Sequence, residues 1–376
     1  MRVLHVVTKA DVGGAQTYVL ELATAQMASG DTVAISAGSV GVMAAEAERR
    51  GLTVMSSPHL HREIGLRSEL AALRGLREQI AEFSPDVVHA HSSKAGVLVR
   101  VATRRRVPAV YTAHGWPFQA GAPLAQRMVS WLGETLAAHW WGEVICLTDA
   151  EKALARRWRV VSPRRLHVVP NGLPDVEEHL RADLRVREPG APVVIVMVAR
   201  FAPPKSQRRV LDAVTAMRPG GWRLDLVGDG PQLEECRAAA TALGLDDRVR
   251  FLGHRDDVGE LLLASDIGLL WSRYEGMPLA LMEAMRAGLA CVANDLDGTR
   301  LLLADGASGL LVPFEDGALT TVLQRLVDDS DGRRGLAAAA RARFENLFSI
   351  EGNERRVRQV YDSAINAMRR GGGSAS

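Results

Sequence analysis

The residues best placed to do chemistry lie within 271–294, in the run WSRYEGMPLALMEAMRAGLACVAN. Glu275 and Glu283 are separated by seven residues and flank a predicted join between a loop and a short helix. Pro278 suits the first turn of that helix, where its missing N–H costs nothing, and Gly288 suits its end. Unpaired N–H groups at a helix start attract a phosphate, while carboxylates bind hydroxyls. The pattern predicts a nucleotide-sugar site, although glutamates are also common in first turns for reasons of helix stability.

Two cations follow the first predicted strand of the second half of the chain. Arg200 and Lys205 come after the apolar run 193–198, and Lys205 is one of four lysines in the sequence. A unit cation about 4 Å from a phosphate gains roughly 4 kcal/mol at an effective dielectric constant near 20. The two residues are therefore predicted to offset a diphosphate without a metal, and the alternative is a solvated pair in a loop.

Strand ends in the first half carry a glycine pair and several histidines. Gly13 and Gly14 follow the strand predicted at 2–7, and strand, glycine loop and helix is a form in which amides approach phosphate. His89 and His91 end a strand at 86–90, and His114 follows one at 108–113. A metal site at the first two histidines is disfavoured because no carboxylate or cysteine completes a ligand set. The alternative for each histidine is a satisfied core residue.

The elements that must position these residues alternate along the whole chain. Apolar strands separated by amphipathic helices predict parallel βαβ units and an α/β fold with doubly wound sheets, which bind ligands at strand carboxyl ends. Pro170-Asn171-Gly172 predicts a turn, and the alternation restarts at residue 193. We predict a first domain at 1–170, a linker at 171–192, a second domain at 193–349, a final helix at 350–370 and a flexible tail at 371–376.

Size and composition favour two domains of a globular protein. The chain has 376 residues, of which 47% are hydrophobic and 24% charged, with a formal net charge of +2. Residues 1–170 hold 20 Lys and Arg against 14 Asp and Glu, whereas residues 171–376 hold 26 against 30. The first half is thus the better candidate for an anionic partner, either a lipid phosphate or a membrane surface, although a solvated basic face explains the same asymmetry.

Several classes of protein are disfavoured. Three scattered cysteines give neither a disulfide framework nor a zinc site, and a reducing cytoplasm suits them. No run is apolar for long enough to span a membrane, and the N-terminus opens on a strand rather than a secretory signal. The first strand–helix turn lacks GxGxxG, which disfavours a dinucleotide or NTPase site. Asp295-Leu296-Asp297 has the DxD form of a metal motif but sits in a βαβ unit, so metal binding there is disfavoured. The arginines at 100 and 104–106 are too few for nucleic acid.

The run Glu275-Gly276-Met277-Pro278 resembles the E-x7-E signature of retaining glycosyltransferases of family 4, which have the GT-B fold. The glycine pair at 13–14, the histidine at 114, the hinge at 170–172, the Gly-Asp-Gly-Pro turn at 228–231 and the Phe-Leu-Gly run at 251–253 resemble further motifs of the family, in its order. The resemblance covers nearly the whole chain. It implies two facing Rossmann-like domains, the second binding the donor and the first the acceptor, with a C-terminal helix crossing back to the first.

Residue roles follow from the resemblance. His114 and Glu275 are the expected catalytic residues, the histidine supporting an oxocarbenium-like transition state and the glutamate holding the sugar. Donor binding is expected of Gly14, Arg200, Lys205, Gly228, Leu252, Gly276, Met277, Pro278, Leu279 and Glu283, with Glu283 on the ribose. Acceptor binding is expected of Gly13, His91, Lys94 and Trp116. One departure is Leu301, which stands where relatives often carry a donor-contacting glutamate.

The expected reaction transfers a hexosyl group from a nucleoside-diphosphate sugar, with UDP or GDP as nucleotide, to an acceptor hydroxyl with retention of configuration. No cofactor or metal is expected. The motifs resemble those of bacterial exopolysaccharide or capsule enzymes, so the acceptor is expected to be an oligosaccharide or a lipid-linked sugar. We expect a cytoplasmic protein. For the amphipathic segment at 122–141, interior packing of the tryptophans is the favoured interpretation, and peripheral contact with the inner face of an anionic membrane is the alternative. A sugar-nucleotide epimerase and a non-catalytic membrane-surface subunit are the other functions consistent with the sequence.

Overall fold

Short β-branched and aliphatic runs form the strands, and each is followed by a helix that covers one face of the sheet. The computed structural model describes residues 1–8, 13–38, 41–60, 65–116, 124–137, 142–185, 188 and 190–372. These residues form two compact units, one made of Met1–Pro174 with the chain from Ile350 onward, the other of Asp175–Ser349. Each unit has its own parallel sheet. The α/β fold with two Rossmann-like sheets is confirmed.

The first unit contains a seven-stranded sheet within the described residues, in the order β3-β2-β1-β4-β5-β6-β7, with every neighbouring pair parallel. Its strands are β1 (Arg2–Val7), β2 (Thr32–Ala37), β3 (Thr53–Ser56), β4 (Val87–Ala90), β5 (Ala109–Ala113), β6 (Glu143–Cys146) and β7 (Leu166–Val168). Its helices are α1 (Gly14–Ala28), α2 (Val42–Arg49), α3 (Leu66–Phe83), α4 (Ser93–Thr103), α5 (Leu124–Ala137), α6 (Asp149–Arg157) and, from the end of the chain, α14 (Ile350–Gly372).

The second unit contains a six-stranded parallel sheet, counted over its described part, in the order β10-β9-β8-β11-β12-β13. Its strands are β8 (Val193–Val198), β9 (Trp222–Val227), β10 (Val249–Gly253), β11 (Ile267–Leu270), β12 (Ala290–Asn294) and β13 (Leu310–Val312). Its helices are α7 (Gln207–Thr215), α8 (Leu233–Ala242), α9 (Val258–Leu263), α10 (Leu279–Arg286), α11 (Asp297–Leu303), α12 (Ala318–Asp328) and α13 (Ser330–Leu347).

The strand order places a switch point at the centre of each sheet. In the first unit β1 lies between β2 and β4, and in the second unit β8 lies between β9 and β11. Chain connections leave the central strand in opposite directions there, and a crevice opens at the carboxyl ends of the two adjacent strands. Both central strands are buried along almost their whole length, as expected of sheets covered on both faces. The predicted site residues follow these strands and their neighbours.

The last helix belongs to the first unit. Tyr18 of α1 donates a hydrogen bond to Asn353 Oδ1 (3.1 Å), and Asn353 Nδ2 donates to the carbonyl of Pro170 (2.6 Å). Arg358 forms an ion pair with Asp31, 2.6 Å from Nη2 to Oδ2. Because all of these partners precede residue 175, α14 completes the first unit although almost half of the chain separates it from the rest of that unit.

Candidate functional site

The strand-end cations of the second unit are held by backbone contacts between two segments that follow adjacent strands. Arg200 lies two residues beyond β8, and Lys205 forms an antiparallel bridge with Ser272, two residues beyond β11. The amide of Ser206 donates to the carbonyl of Trp271 at 3.0 Å. These bonds tie the Arg200–Lys205 segment to the start of the loop that carries Glu275. The two parts of the predicted donor site are therefore adjacent in the fold.

Lys205 and Glu275 form an ion pair between Nζ and Oε1. Their side chains are 19% and 12% exposed, so the pair is largely shielded from water. Arg200 is exposed, and within the described residues its guanidinium has no ion-pair partner. The three residues together carry a net charge of +1, which suits a site for an anion more than a neutral pair would.

The loop after Glu275 is anchored by apolar side chains and leads into α10. Met277, Pro278 and Leu279 are all buried, while Gly276 is half-buried between them and Glu275. α10 begins at Leu279, and Pro278 is its N-cap residue. The proline was predicted to lie in the first turn, so the helix begins one residue later than predicted. Pro278, the N-cap residue, makes no side-chain cap hydrogen bond to this helix, as expected of a side chain without a polar atom. Glu283 lies about one turn into α10 and is half-buried.

The end of α10 is a Schellman motif, as the glycine predicted. The amide of Gly288 donates to Met285 (3.0 Å) and that of Leu289 to Ala284 (3.0 Å), with Gly288 at φ +77°. β12 then ends at Asn294, whose side chain accepts from the amide of Ser272 (3.0 Å) and donates to the carbonyl of the same residue (2.6 Å). The two strand ends that frame the loop are thereby locked together.

Two glycines let backbone segments approach closely at this edge. A Cβ at Gly298, in the first turn of α11, would lie 1.9 Å from the carbonyl oxygen of Gly276. A Cβ at Gly228 would lie 2.3 Å from the carbonyl oxygen of Ala199, and its φ is +133°. The predicted donor residue Gly228 thus has a structural reason to be glycine. Leu252, predicted to lie near the base, is half-buried in β10.

A histidine cluster occupies the switch point of the first unit. His5 of β1 and His89 of β4 are direct cross-strand partners, and both are fully buried. His91 and His114 follow β4 and β5 at the same edge. His5 Nδ1 lies 2.9 Å from His91 Nε2, and His91 Nδ1 lies 3.4 Å from His114 Nε2. The sequence analysis did not select His5, because it lies inside an apolar strand.

Further polar partners surround the cluster. His5 Nε2 lies 2.7 Å from Gln26 Oε1, and His89 Nδ1 lies 2.7 Å from the hydroxyl of Tyr361. His89 Nε2 lies 2.7 Å from Thr112 Oγ1. Each ring nitrogen of His5 and His89 therefore has a protein hydrogen-bond partner.

Burial keeps all four imidazoles neutral at ordinary pH. It lowers the pKa of His5 and of His114 to about 4, and a hydrogen bond to Gln26 only partly offsets the effect at His5. The pKa values of His89 and His91 are also well below the usual 6.5, first through burial and then through repulsion by neighbouring histidines. The cluster is a neutral hydrogen-bonded network rather than a charged one.

His5, His89 and His91 also have the spacing of a metal site, with a ligand atom of each within 4.8 Å of the others. A metal would need the lone pairs that now accept hydrogen bonds, and the 2.9 Å contact between His5 and His91 requires a proton between the two nitrogens. The protein partners thus account for the ring nitrogens without an ion. The DxD carboxylates are engaged as well, since Asp295 forms a bidentate pair with Arg300 (2.6 and 2.7 Å).

Comparison with known proteins identifies the family. The model of the "Glycosyl transferase 4-like domain" matches residues 13–172, and that of "Glycosyl transferases group 1" matches residues 192–329. The UDP-Gal:alpha-D-GlcNAc-diphosphoundecaprenol alpha-1,3-galactosyltransferase of Escherichia coli is 31% identical over 82% of this chain and 84% of its own length. The chain belongs to glycosyltransferase family 4. The recognition made from the E-x7-E run and its companion motifs is confirmed.

Other members of the family and solved structures agree. The phosphatidyl-myo-inositol mannosyltransferase of Mycolicibacterium smegmatis is 29% identical over 94% of this chain and 91% of its own length. The structure of HepE from Anabaena in complex with UDP and glucose matches with a TM-score of 0.82 at 22% identity, covering 96% of this chain and 100% of that one. That structural likeness confirms the GT-B fold of this glycosyltransferase.

Two of the four predicted acceptor residues of this glycosyltransferase, Trp116 and His91, are buried. Trp116 is 1% exposed, donates its indole N–H to the carbonyl of Glu151 (3.1 Å) and packs across Tyr111 in the core. Its role in the acceptor site stays a prediction, which this burial does not favour. A strand-end aromatic can turn back over its own sheet, and here it does. His91 is 4% exposed and contacts His114, and its predicted acceptor role likewise stays a prediction.

The remaining predicted acceptor residues are accessible. Gly13 is half-buried at the N-cap of α1, and Gly14, predicted to contact the donor, is exposed as the first residue of that helix. Lys94, in the first turn of α4, forms an ion pair with Glu69 of α3, 2.6 Å from Nζ to Oε1. An acceptor that uses Lys94 must therefore share the ammonium with Glu69. The catalytic candidate His114 is half-buried, and Tyr18 packs edge-on against its ring at 5.4 Å.

Replacing Gly298 by alanine is expected to displace the Glu275 loop. The new Cβ would overlap the carbonyl oxygen of Gly276, so the loop or α11 must move. We expect a lower melting temperature and at least tenfold slower glycosyl transfer in a folded protein, because a displacement of about 1 Å of positioning groups costs on the order of 100-fold in rate. Gly335→Ala in α13 is the matched control, since its Cβ meets nothing within 4 Å. Equal behaviour of the two variants would contradict the close approach.

Acid is expected to destabilise the first unit through the histidine cluster. The unfolded imidazoles have pKa values near 6.5 and those of His5 and His114 in the fold are about 4, so this stability is present above pH 6.5 and is lost as the pH falls toward 4. Burial raises the pKa of Glu151 to about 7, and this single group acts in the opposite direction, weakening the fold as pH rises from 4.5 to 7.

Urea unfolding at several pH values between 7 and 4.5 measures this dependence. His5→Asn should lose about 1–3 kcal/mol less stability over that range than the wild type, because one fewer buried imidazole must be protonated. His59→Asn removes an exposed histidine of the same unit and should leave the dependence unchanged. A wild-type stability that is flat or rising as the pH falls below 6.5 would exclude a buried neutral cluster.

Proposed function

We propose that this glycosyltransferase moves a hexosyl group from a nucleoside-diphosphate sugar to an acceptor hydroxyl and retains the anomeric configuration. The observation that supports the donor most directly is the set of charges at the switch point of the second unit. Arg200 and Lys205 follow β8 at the sheet edge where the segment after β11 leads to α10, and Glu275 of that segment forms an ion pair with Lys205. Cations and helix-end amides together are the groups that a diphosphate requires.

Lys205 pairs with Glu275 before the donor binds and, in this proposal, with the diphosphate afterwards. Without donor, Glu275 holds the ammonium in position and limits its conformational freedom. When a diphosphate binds, the ammonium can neutralise the phosphate oxygens while the carboxylate turns to the hydroxyls of the sugar. We assign the ribose hydroxyls to Glu283, one turn into α10. Fixed cations would then stabilise the leaving nucleoside diphosphate as its charge develops, without a metal ion.

The proposed chemical step is attack by the acceptor hydroxyl on the face that the diphosphate leaves. The bond from the anomeric carbon to the diphosphate oxygen breaks, the bond to the acceptor oxygen forms, and the leaving phosphate takes the hydroxyl proton. The imidazole of His114 is neutral, so it does not repel the positively charged sugar during this step and can orient it. Among the described residues, the ion-pair partner of Glu275 is Lys205, so Glu275 is assigned to holding the sugar and not to nucleophilic attack.

The donor and acceptor classes are proposed from the relatives. UDP is the first nucleotide to test, because the Anabaena structure is titled as a complex with UDP and glucose and the name of the E. coli relative specifies UDP-Gal. The same name specifies a diphosphoundecaprenol acceptor, and a Bacillus subtilis relative is a putative glycosyltransferase EpsD. We propose a lipid-linked or oligosaccharide acceptor of bacterial surface polysaccharide synthesis, handled at the cytoplasmic face of the membrane.

The donor site is tested by removing one cation. In Lys205→Met the Kd for the preferred nucleoside diphosphate, chosen by a thermal-shift screen of UDP, GDP, ADP and dTDP, should rise about 10–100-fold, the effect of losing a charged hydrogen bond of about 1.5–3 kcal/mol. Lys152→Met is the matched control in the first unit. The double variant Lys205→Met/Glu275→Gln separates the two roles of the lysine, because it also removes the carboxylate left unpaired.

Weak binding in the double variant supports a direct contact between Lys205 and the diphosphate, whereas recovered binding means that Lys205 only compensates Glu275. Turnover of a UDP-sugar by the wild type, with the anomeric configuration of the product read by NMR, tests the reaction itself. Glu275→Gln should remove most transfer while leaving nucleotide affinity within a few fold. An inverted product, or transfer that survives Glu275→Gln, would refute the proposed roles.

An anionic membrane surface is the proposed partner of α5. Met128, Leu132 and Leu136 lie at intervals of four on this helix and are 52%, 51% and 52% exposed, an apolar stripe with no partner among the described residues. Trp131 points the other way, toward the core, and donates to the carbonyl of Trp158 (2.8 Å). Interior packing is thus confirmed for this tryptophan, while Trp140 and Trp141 lie outside the described residues. No helix in the described part of the chain is long and apolar enough to cross a membrane.

Arginines lie beside this stripe. A cavity of about 730 Å³ is lined by Thr135 of α5 together with Arg105, Arg156, Arg159 and Arg165. Apolar side chains at the depth of the acyl boundary and arginines at the depth of the phosphates are the combination that binds anionic bilayers. The arginine cluster at 104–106 predicted this basic character, and residues 156–165 extend it.

Vesicle sedimentation tests the membrane contact. The protein should bind vesicles of phosphatidylcholine and phosphatidylglycerol more tightly than phosphatidylcholine alone, and high salt should weaken the binding. Arg156→Gln/Arg159→Gln should reduce it about tenfold or more, at roughly 1 kcal/mol per arginine. Arg67→Gln/Arg74→Gln on α3 is the charge-matched control. Equal loss in both double variants would mean that net charge alone, and not this surface, determines binding.

A further inference from the structure

Hydrogen bonds connect Gln26 to His114 through His5 and His91, and the donor and the acceptor of each bond can be assigned. At its inner end Gln26 presents its amide oxygen to His5 Nε2 at 2.7 Å, while its amide nitrogen donates to the hydroxyl of Tyr361 at 3.1 Å. An amide oxygen only accepts hydrogen bonds, so the proton of His5 must be on Nε2. Gln26 is 1% exposed, and no water competes for this contact.

The donor and acceptor nitrogens of each following imidazole can be assigned in turn, because each neutral ring carries a single N–H. With its proton on Nε2, His5 offers Nδ1 as an acceptor, and the neighbour at 2.9 Å, His91 Nε2, must donate to it. His91 Nδ1 is then an acceptor for His114 Nε2 at 3.4 Å. The outcome is that His114 carries its proton on Nε2, which leaves the lone pair of Nδ1 able to accept a hydrogen bond, and no described residue donates one to it. Burial lowers the pKa of each of these histidines, so each ring is neutral and carries one N–H.

We propose that Gln26, His5 and His91 are positioning residues that hold His114 in a single tautomer, with Nδ1 as a hydrogen-bond acceptor for a substrate hydroxyl. A neutral imidazole in water interconverts between tautomers and reorients freely, and fixing both its ring and its acceptor nitrogen removes that freedom before the substrate binds. The tautomer itself does not depend on the reaction. Its consequence for catalysis rests on the function proposed above, in which His114 contacts the transferred sugar.

A second branch of the network provides an internal control. The hydroxyl of Tyr361, on α14, receives the amide N–H of Gln26 and lies 2.7 Å from His89 Nδ1, and His89 Nε2 lies 2.7 Å from Thr112 Oγ1. This branch shares Gln26 with the chain that leads to His114 but has its own acceptors. Breaking it at Tyr361 should leave His5 and its contact with the amide oxygen intact.

Nitrogen-15 NMR of the full-length protein labelled at histidine tests the tautomer directly. Signals of His114 are assigned by their loss in His114→Gln, and in the wild type they should be those of a neutral ring protonated on Nε2. Gln26→Met keeps the shape of the side chain but removes its acceptor, so His114 should become a mixture of tautomers. In Tyr361→Phe the signals of His114 should remain as in the wild type.

Kinetics test the consequence in the same variants. Gln26→Met should lower kcat about 10–100-fold, by analogy with the loss of hydrogen-bond partners behind metal-binding histidines, and should leave the donor KM within a few fold. His5→Asn, which can keep an acceptor near the position of Nδ1, should retain more kcat than His5→Leu. Tyr361→Phe should change kcat little.

Each result bears on the proposal separately. A wild-type His114 protonated on Nδ1, or an unchanged spectrum in Gln26→Met, would overturn the relay whatever the enzyme does. A shifted tautomer with an unchanged kcat would overturn its catalytic importance while leaving the relay in place. Stoichiometric Zn²⁺ bound to the isolated protein, lost in His5→Asn, would replace the relay by a metal site. Loss of donor binding in Lys205→Met concerns the second unit only, so failure of the proposed function is distinguishable.

Discussion

The parallel pairing of β1 with β4 and of β8 with β11 is the constraint on which both functional regions depend. Parallel neighbours end at the same edge, and at a switch point the connections on either side diverge, so polar residues can gather there without a helix covering them. In the first unit the register aligns His5 with His89 across the strand pair. In the second it brings the segment after β8 against the segment after β11, so that Lys205 meets Ser272 and then Glu275.

The general features of this arrangement could be predicted from the sequence, because they depend on local patterns. Apolar runs and their spacing predicted nearly every strand, and glycine chemistry predicted the end of α10 at Gly288. Arg200 and Lys205 were selected because charges that follow a buried strand must lie at its carboxyl end. None of these inferences needs knowledge of which residues meet across the sheet.

What could not be predicted depends on contacts between distant segments. The ion pair of Lys205 with Glu275 requires the antiparallel bridge of residue 205 with residue 272, for which the sequence has no local signal. His5 lies in the strand RVLHVV and looks like a core residue, although a histidine inside a fully buried strand already signals a need for polar partners. The burial of Trp116 could not be predicted, because position after a strand does not determine whether a side chain points to solvent or back into the core.

The candidate sites of the two units differ in their electrostatics: the second unit holds charged side chains, and the first unit holds neutral histidines. The second unit holds full charges at its strand edge, where Lys205 and Glu275 are paired, and full charges are what the proposed diphosphate donor would require. The first unit has four imidazoles close together, and protonating more than one of them in the buried cluster would add repulsion to the cost of desolvation. It therefore distributes one proton per ring in an ordered chain. A neutral network of this kind can orient a lone pair toward a developing positive charge, which a protonated histidine could not do.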